Sequence, residues 1–200
     1  MKGRIVLALC ALALVCAPAL AEDKKAEAAA AAAAAPAPDM AAMMKAMSPG
    51  EPHKHLAKLA GDWTFTNKMW MDPSQQPTTS TGTMHGEVIL GGRYVHSVWK
   101  GDMMGMPFEG HGTDGYDNMT HKFVSTWVDN MGTGIMYMTG DCKDNVCTST
   151  GDMMDPMSGQ KVTTKMVSTW NADGTLKMEM YAKDASGNEM KTMEMLVAKK

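Results

Sequence analysis

Gly61-Asp62-Trp63-Thr64-Phe65-Thr66-Asn67-Lys68-Met69-Trp70-Met71 is the stretch that decides the fold. Trp63, Phe65, Asn67, Met69 and Met71 alternate with Thr64, Thr66, Lys68 and Trp70. Successive side chains of a strand point to opposite faces, so this period of two marks a half-buried β-strand and not a helix. The pattern recurs most cleanly near the other end, where Leu176, Met178 and Met180 alternate with Lys177 and Glu179. Between them, turn pairs such as Gly91-Gly92, Asp117-Asn118, Asp129-Asn130, Asp144-Asn145 and Asp173-Gly174 punctuate the chain at near-regular intervals. The segments so bounded, near 62–71, 79–90, 93–103, 108–116, 121–129, 134–142, 146–154, 161–170, 175–183 and 189–198, are strand candidates. Ten short strands joined by hairpin turns specify an all-β, antiparallel up-and-down barrel. A two-sheet sandwich is the alternative, and closure favours the barrel because it leaves no unpaired edge.

Upstream of this stretch the composition changes. A short helix over about His53 to Leu59 leads into the barrel, and His53 and His55 on it are expected to be solvated. An earlier short helix, capped by Asp39 and stopped by Ser48-Pro49-Gly50, carries Met40, Met43, Met44 and Met47 on one face. Before it come Glu22-Asp23-Lys24-Lys25, an alanine run from Ala28 to Ala35, and Pro36-Ala37-Pro38. Alanine buries little and the prolines end any helix, so 22–52 reads as a flexible or partly helical spacer. Residues 1–21 have the layout of a secretory signal: Lys2 and Arg4, an apolar run from Ile5 to Ala17, and Ala19-Leu20-Ala21 as a cleavage site. The run is shorter than the roughly 20 residues a bilayer-spanning helix needs. Cys10 follows Leu9 and Cys16 follows Val15, whereas lipoprotein processing wants a small residue there. The expected organisation is therefore signal 1–21, spacer 22–52 and barrel domain 53–200. The protein is expected to be exported, periplasmic or secreted, with no integral membrane segment after cleavage.

Cleavage removes two of the four cysteines. Cys142 and Cys147 remain, flanking a tight turn, and an even pair in an exported chain predicts a hairpin disulfide. Two cysteines without a second pair are too few for a structural zinc site. Loss of Lys2 and Arg4 moves the formal charge from −3 to −5. With no basic block in the mature chain, nucleic acid is not an expected partner.

Several segments together resemble a bacterial domain-of-unknown-function family, DUF1579: Leu59 to Trp63, Gly91-Gly92-Arg93-Tyr94, Met103 to Gly110, Gly115-Tyr116-Asp117-Asn118, and Ser125 to Gly134. The likeness runs over about residues 51–198 and implies a lipocalin-like, calycin-type barrel. Gly61-Asp62-Trp63 also resembles the Gly-x-Trp opening of lipocalins, in which a last-strand Arg covers the Trp. Here the chain ends Ala198-Lys199-Lys200, so that partner is either Lys or missing. The resemblance implies no activity and no catalytic residues.

Three groups of residues could carry chemistry. If Gly91-Gly92 is a two-residue turn, Leu90 faces Arg93, Ile89 faces Tyr94 and Glu87 faces His96. His85, Glu87, Tyr94 and His96 then share a sheet face, either as a polar face in water or as a metal or acid–base set. In the glycine-rich segment from Gly110 to Asp117, His111 and Asp114 are candidates, although the spacing matches no phosphate-binding fingerprint. The 23 methionines of the mature chain, several in pairs such as Met103-Met104 and Met153-Met154, suit either an adaptable core or Cu(I) coordination. Gly-x-Ser-x-Gly and His-Glu-x-x-His are absent, and the last strands carry no histidine to ligate a haem iron. The sequence identifies no cofactor. It points to a binding protein more than an enzyme, with a small apolar or amphipathic ligand inside the barrel against Trp63, Phe65, Trp127, Met178 and Met180. Metal binding and catalysis by the His/Glu groups are the alternatives.

Overall fold

The computed structural model describes residues 39–72, 74–154, 159–183 and 187–200. The expected signal and most of the expected spacer lie outside these residues. Residues 44–200 form one compact unit, and the described residues 39–43 belong to another. In the latter, the Asp39 carboxylate accepts the backbone N–H groups of Ala41 and Ala42 at 3.0 and 3.2 Å, which is the expected cap. Helix α1 spans Met40–Ala46, α2 spans Glu51–Leu56, and a 3₁₀ turn spans Ala57–Leu59. Met40, Met43, Met44 and Met47 are all exposed.

Ten strands follow: β1 Gly61–Met69, β2 Thr78–Ile89, β3 Tyr94–Met103, β4 Met106–Asp117, β5 Lys122–Asp129, β6 Met136–Lys143, β7 Val146–Met154, β8 Lys161–Trp170, β9 Leu176–Lys183 and β10 Glu189–Lys199. Each pairs antiparallel with its neighbour in sequence, and β10 pairs with β1 to close the barrel. The period-two expectation holds through β1, where Trp63, Phe65 and Asn67 are buried and Thr64, Thr66 and Lys68 are exposed. The strand stops earlier than expected. Beyond Met69 the chain turns away, held by the Trp70 N–H on the Thr192 carbonyl at 2.9 Å, and Met71 is exposed.

The β2–β3 register is the expected one, with Ile89 opposite Tyr94 and Glu87 opposite His96. The connection is longer than two residues. Leu90, Gly91 and Gly92 all take positive φ, so Leu90 leaves the strand and is exposed. A tight turn does join β6 to β7, and there Cys142 and Cys147 stand directly opposite and are disulfide-bonded, as expected.

The buried cluster lies at the end of the barrel where β1 begins. It comprises Trp63, Phe65, Met84, Trp99, Leu176 and Val197. Lys199 is opposite Trp63 in the β1–β10 register, and its ammonium lies 5.3 Å from the indole centroid. The position that an Arg occupies in lipocalins is thus taken by a Lys making a cation–π contact. The same Trp63 donates its indole N–H to the Leu59 carbonyl at 3.0 Å, which ties the lead-in segment to the strand.

The lead-in histidines are not solvated. His53 is 7% exposed, accepts the Gly50 N–H on Nδ1 at 3.0 Å and meets the Tyr116 ring edge-on. His55 meets Phe123 in the same way. Tyr116 and Phe123 are cross-strand partners at the barrel end, so α2 is docked on an aromatic pair. Sequence periodicity could not reveal this, because a six-residue helix is too short to show a buried face.

Candidate functional site

Strand alternation divides the candidate residues between two surfaces. Trp63, Phe65, Trp127, Met178 and Met180 all belong to the inward set. Phe65 aligns with Val197 and Leu176 across β1, β10 and β9, and Met180 aligns with Met193 and Met69. On the β1–β5 side this set is aromatic. Phe65 contacts Trp99 at 5.6 Å between ring centroids, Trp99 contacts Trp127 at 6.2 Å, and Trp127 stacks on Phe108 at 6.3 Å. Glycines make the space. A Cβ on Gly82 would lie 2.4 Å from Phe65, and one on Gly110 would lie 2.3 Å from Trp127. On the β8–β10 side the inward residues include Met166, Met178, Met180, Met193 and Met195, which remain only half-buried, beside buried Thr164, Leu176 and Val197.

Asp114 is also inward. It aligns with buried Val95 on β3 and with Ser125 on β5. Burial pushes its carboxyl up to about 6. Its side chain has no hydrogen-bond or ion-pair partner among the described residues. The residue as a whole is half-buried. His111, three residues earlier, is on the opposite face. The two therefore cannot act together, contrary to the pairing their proximity in sequence suggests.

A second inward polar atom is Asn67 Oδ1, buried without a partner among the described residues. It borders a cavity of about 10 Å³ beside Met69, Ser80 and Met103, room for a single water molecule. At the end where β1 begins, Trp63, Trp170, Lys58 and Lys199 line an open recess of about 410 Å³.

His85, Glu87, Tyr94 and His96 do share a face, and it is the outer one. His85 and Asp62 form an exposed pair, Nδ1 to Oδ1, at 2.7 Å. His96 turns instead toward β4. Its Nε2 lies 3.4 Å from His111 Nδ1, and its Nδ1 lies 3.4 Å from Thr113 Oγ1. His111 Nε2 lies 3.0 Å from Glu109 Oε1, and Lys100 pairs with the other carboxylate oxygen at 3.2 Å. The hydrogen bond from His111, then those from Lys100, hold the Glu109 carboxyl below the usual range. The expectation from sequence included His96 and His111 separately and omitted Glu109. The signal was present: Glu109 and His111 are two residues apart, which puts both on one face of a strand.

Alternation separates Met153 from Met154, whereas Met103 and Met104 both border the small cavity beside Asn67, with Met69 and Met71. Met153 is inward while Met154 is exposed, and Met103 ends a strand while Met104 projects from the next turn. His55 Nε2 lies 3.8 Å from Cys147 Sγ, and these atoms with Cys142 Sγ form a compact group. Burial, then the nearby Lys58 charge, lowers the His55 pKa. With the two sulfurs bonded to each other, the group offers no thiolate for a metal.

No described helix is long and apolar enough to cross a membrane. No curated protein matches the chain. Among solved structures, Rv2717c from M. tuberculosis is similar in fold, with a TM-score of 0.54 at 12% identity over 76% of this chain and 99% of that one. Residues 48–199 match the family described as "Protein of unknown function (DUF1579)", and with its ten-strand barrel the chain belongs to that family.

Proposed function

We propose that the barrel takes up a small amphipathic molecule, its apolar body against the methionine-lined wall and a hydrogen-bond donor group at Asp114. One observation carries this reading. Met166, Met178, Met180, Met193 and Met195 point toward the barrel axis and yet keep accessible surface. Side chains in a filled core are packed as closely as an organic crystal, so inward residues that remain accessible border space. Methionine is suited to such a wall because its unbranched, polarizable side chain adapts to more than one shape. Asp114 adds an acceptor without a protein partner, and a ligand N–H or ammonium would relieve its desolvation.

Titration with dodecylamine, dodecanoate and the dye ANS, followed by tryptophan or dye fluorescence, tests the reading. Saturable binding of one molecule per chain is expected, with the amine preferred over the carboxylate. Met178→Trp, which fills the space, is expected to abolish it. No saturable signal from any of the three would remove the proposal.

We further propose that the protein works outside the cytoplasm. The disulfide between the two cysteines left after signal cleavage supports this, because such bonds persist in oxidising compartments. Mass analysis of the protein from the cell envelope or medium should give a chain beginning at Glu22; a chain retaining Met1 in the cytoplasm would overturn it.

A further inference from the structure

We infer that the outer face of β3 and β4 is a binding site for a divalent metal ion of borderline softness, Zn²⁺ or Cu²⁺, with His96 Nε2 and His111 Nδ1 as its ligands. These two nitrogens face each other 3.4 Å apart. An ion bound tetrahedrally with metal–nitrogen distances of roughly 2.0–2.1 Å holds its ligand nitrogens about 3.3–3.4 Å apart, so the imidazoles stand at chelating separation without a change of rotamer.

The far nitrogens complete the case. Ligating histidines characteristically anchor the second ring nitrogen on an oxygen, which fixes the tautomer and raises ligand basicity. His111 has Glu109 Oε1 at 3.0 Å from Nε2, and His96 has Thr113 Oγ1 at 3.4 Å from Nδ1. When Nε2–H of His111 donates to Glu109 and Nδ1–H of His96 donates to Thr113, both facing nitrogens are left unprotonated and able to ligate. Lys100, paired to the other Glu109 oxygen at 3.2 Å, holds that carboxylate in place.

A metal-free protein has a simple alternative in which His96 is protonated on Nε2 and donates to His111. Binding shifts that one proton to Nδ1, turns the Thr113 hydroxyl to accept it, and releases none. Glu87 is opposite His96 in the β2–β3 register, but its carboxylate does not gather with the two facing nitrogens, so the chain supplies two imidazoles and water completes the shell. Imidazole favours zinc or copper over calcium or magnesium, which take oxygen ligands.

Calorimetric titration of the tag-free mature chain, disulfide intact, with ZnCl₂ and CuCl₂ tests the site. One equivalent is expected to bind, with copper tighter than zinc. His96→Ala and His111→Ala are each expected to weaken binding at least tenfold, and Glu109→Gln by about tenfold. His85→Ala, which removes the exposed histidine outside the group, is expected to leave binding unchanged. Cu²⁺ electron paramagnetic resonance should show coupling to two imidazole nitrogens, reduced to one in either alanine variant. All these residues are on the surface, so a circular dichroism spectrum like that of the wild type confirms that each variant is folded. Absence of stoichiometric binding, or binding by the His96→Ala or His111→Ala variant as tight as that of the wild type, would overturn the inference.

Discussion

The two walls of the barrel solve the same packing problem in different ways. On the β1–β5 side, Phe65, Trp99, Trp127 and Phe108 form a continuous run of ring contacts, and Gly82 and Gly110 leave the gaps into which Phe65 and Trp127 fit. Each large ring has one place to go. On the β8–β10 side, five inward methionines, none of them fully buried, stand beside buried Thr164, Leu176 and Val197. A wall of rigid rings in glycine-shaped sockets specifies one structure, whereas a wall of flexible thioethers tolerates several arrangements. The difference teaches that stability and adaptability are held by separate arcs of one closed sheet. The aromatic arc holds the barrel together, and the methionine arc is the wall against which the proposed ligand would lie.

This division is open to direct attack, and the largest effect is expected on the aromatic side. Phe65 is 6% exposed and contacts Trp99. Phe65→Ala is expected to cost about 3–5 kcal/mol, the usual range for removing a buried ring, read as a fall in the urea midpoint by circular dichroism. A cost near 1 kcal/mol would mean that the rings are not the structural half of the barrel.

Asp114 adjoins the aromatic wall and should work against it. Its carboxyl titrates near 6 in the folded chain and near 3.8 when exposed. For an acid with a raised folded pKa, the penalty is fully present above about pH 6 and disappears as pH falls below 3.8. Asp114→Asn is therefore expected to be more stable than the wild type by about 2 kcal/mol at pH 8, with an upper bound of about 3, and equal to it near pH 3.5. Urea unfolding at the two pH values measures this. A destabilised Asn variant at pH 8 would mean that the carboxylate has a stabilising partner. Addition of dodecylamine at pH 8 should shrink the gap, since a bound ammonium favours the ionised carboxylate.

How much of this was legible in the residues depends on the scale of the pattern. Ten strands were, because Trp63-x-Phe65 and Leu176-x-Met178-x-Met180 repeat with a period shorter than any strand. The disulfide was legible from the spacing of Cys142 and Cys147 about a tight turn, and the Glu87–His96 register from the glycine pair. What alternation alone leaves open is which face turns inward when both are mixed. His111 and Asp114 looked like a pair until three intervening bonds put them on opposite sides of the wall. The His96–His111 approach depends on pairing between β3 and β4, where a turn of Met103-Met104-Gly105-Met106 gave no clear register. The burial of His53 depends on Tyr116 and Phe123, more than sixty residues away, and no local period contains it.

On the methionine side the expected effects are smaller. Met180 is inward, opposite Met166 and Met193, and only half-buried. Met180→Ala should cost about 1 kcal/mol, below the 2–5 kcal/mol typical of a fully buried methionine, because there is less packing to lose. Met180→Leu should be near neutral in stability and should narrow the range of ligands bound, since Leu has fewer rotamers to offer. A loss as large as that of Phe65→Ala would erase the contrast between the walls.

The smallest effect tests how the aromatic arc is closed. Lys199 reaches over Trp63, which is only 2% exposed, from the strand that joins the two walls. At a partly exposed position a cation–π contact is worth roughly 0.5–1 kcal/mol, and the Lys stem also shields the indole from water. Lys199→Ala is expected to lose about that amount, whereas Lys199→Arg is expected to match or exceed the wild type, because a planar guanidinium stacks on an indole better than an ammonium does. Lys199→Gln separates the two contributions, keeping most of the stem and removing the charge. If Gln is as stable as Lys, the contact is shielding alone, and Lys199 serves as a lid on Trp63 with no electrostatic share in holding the barrel shut.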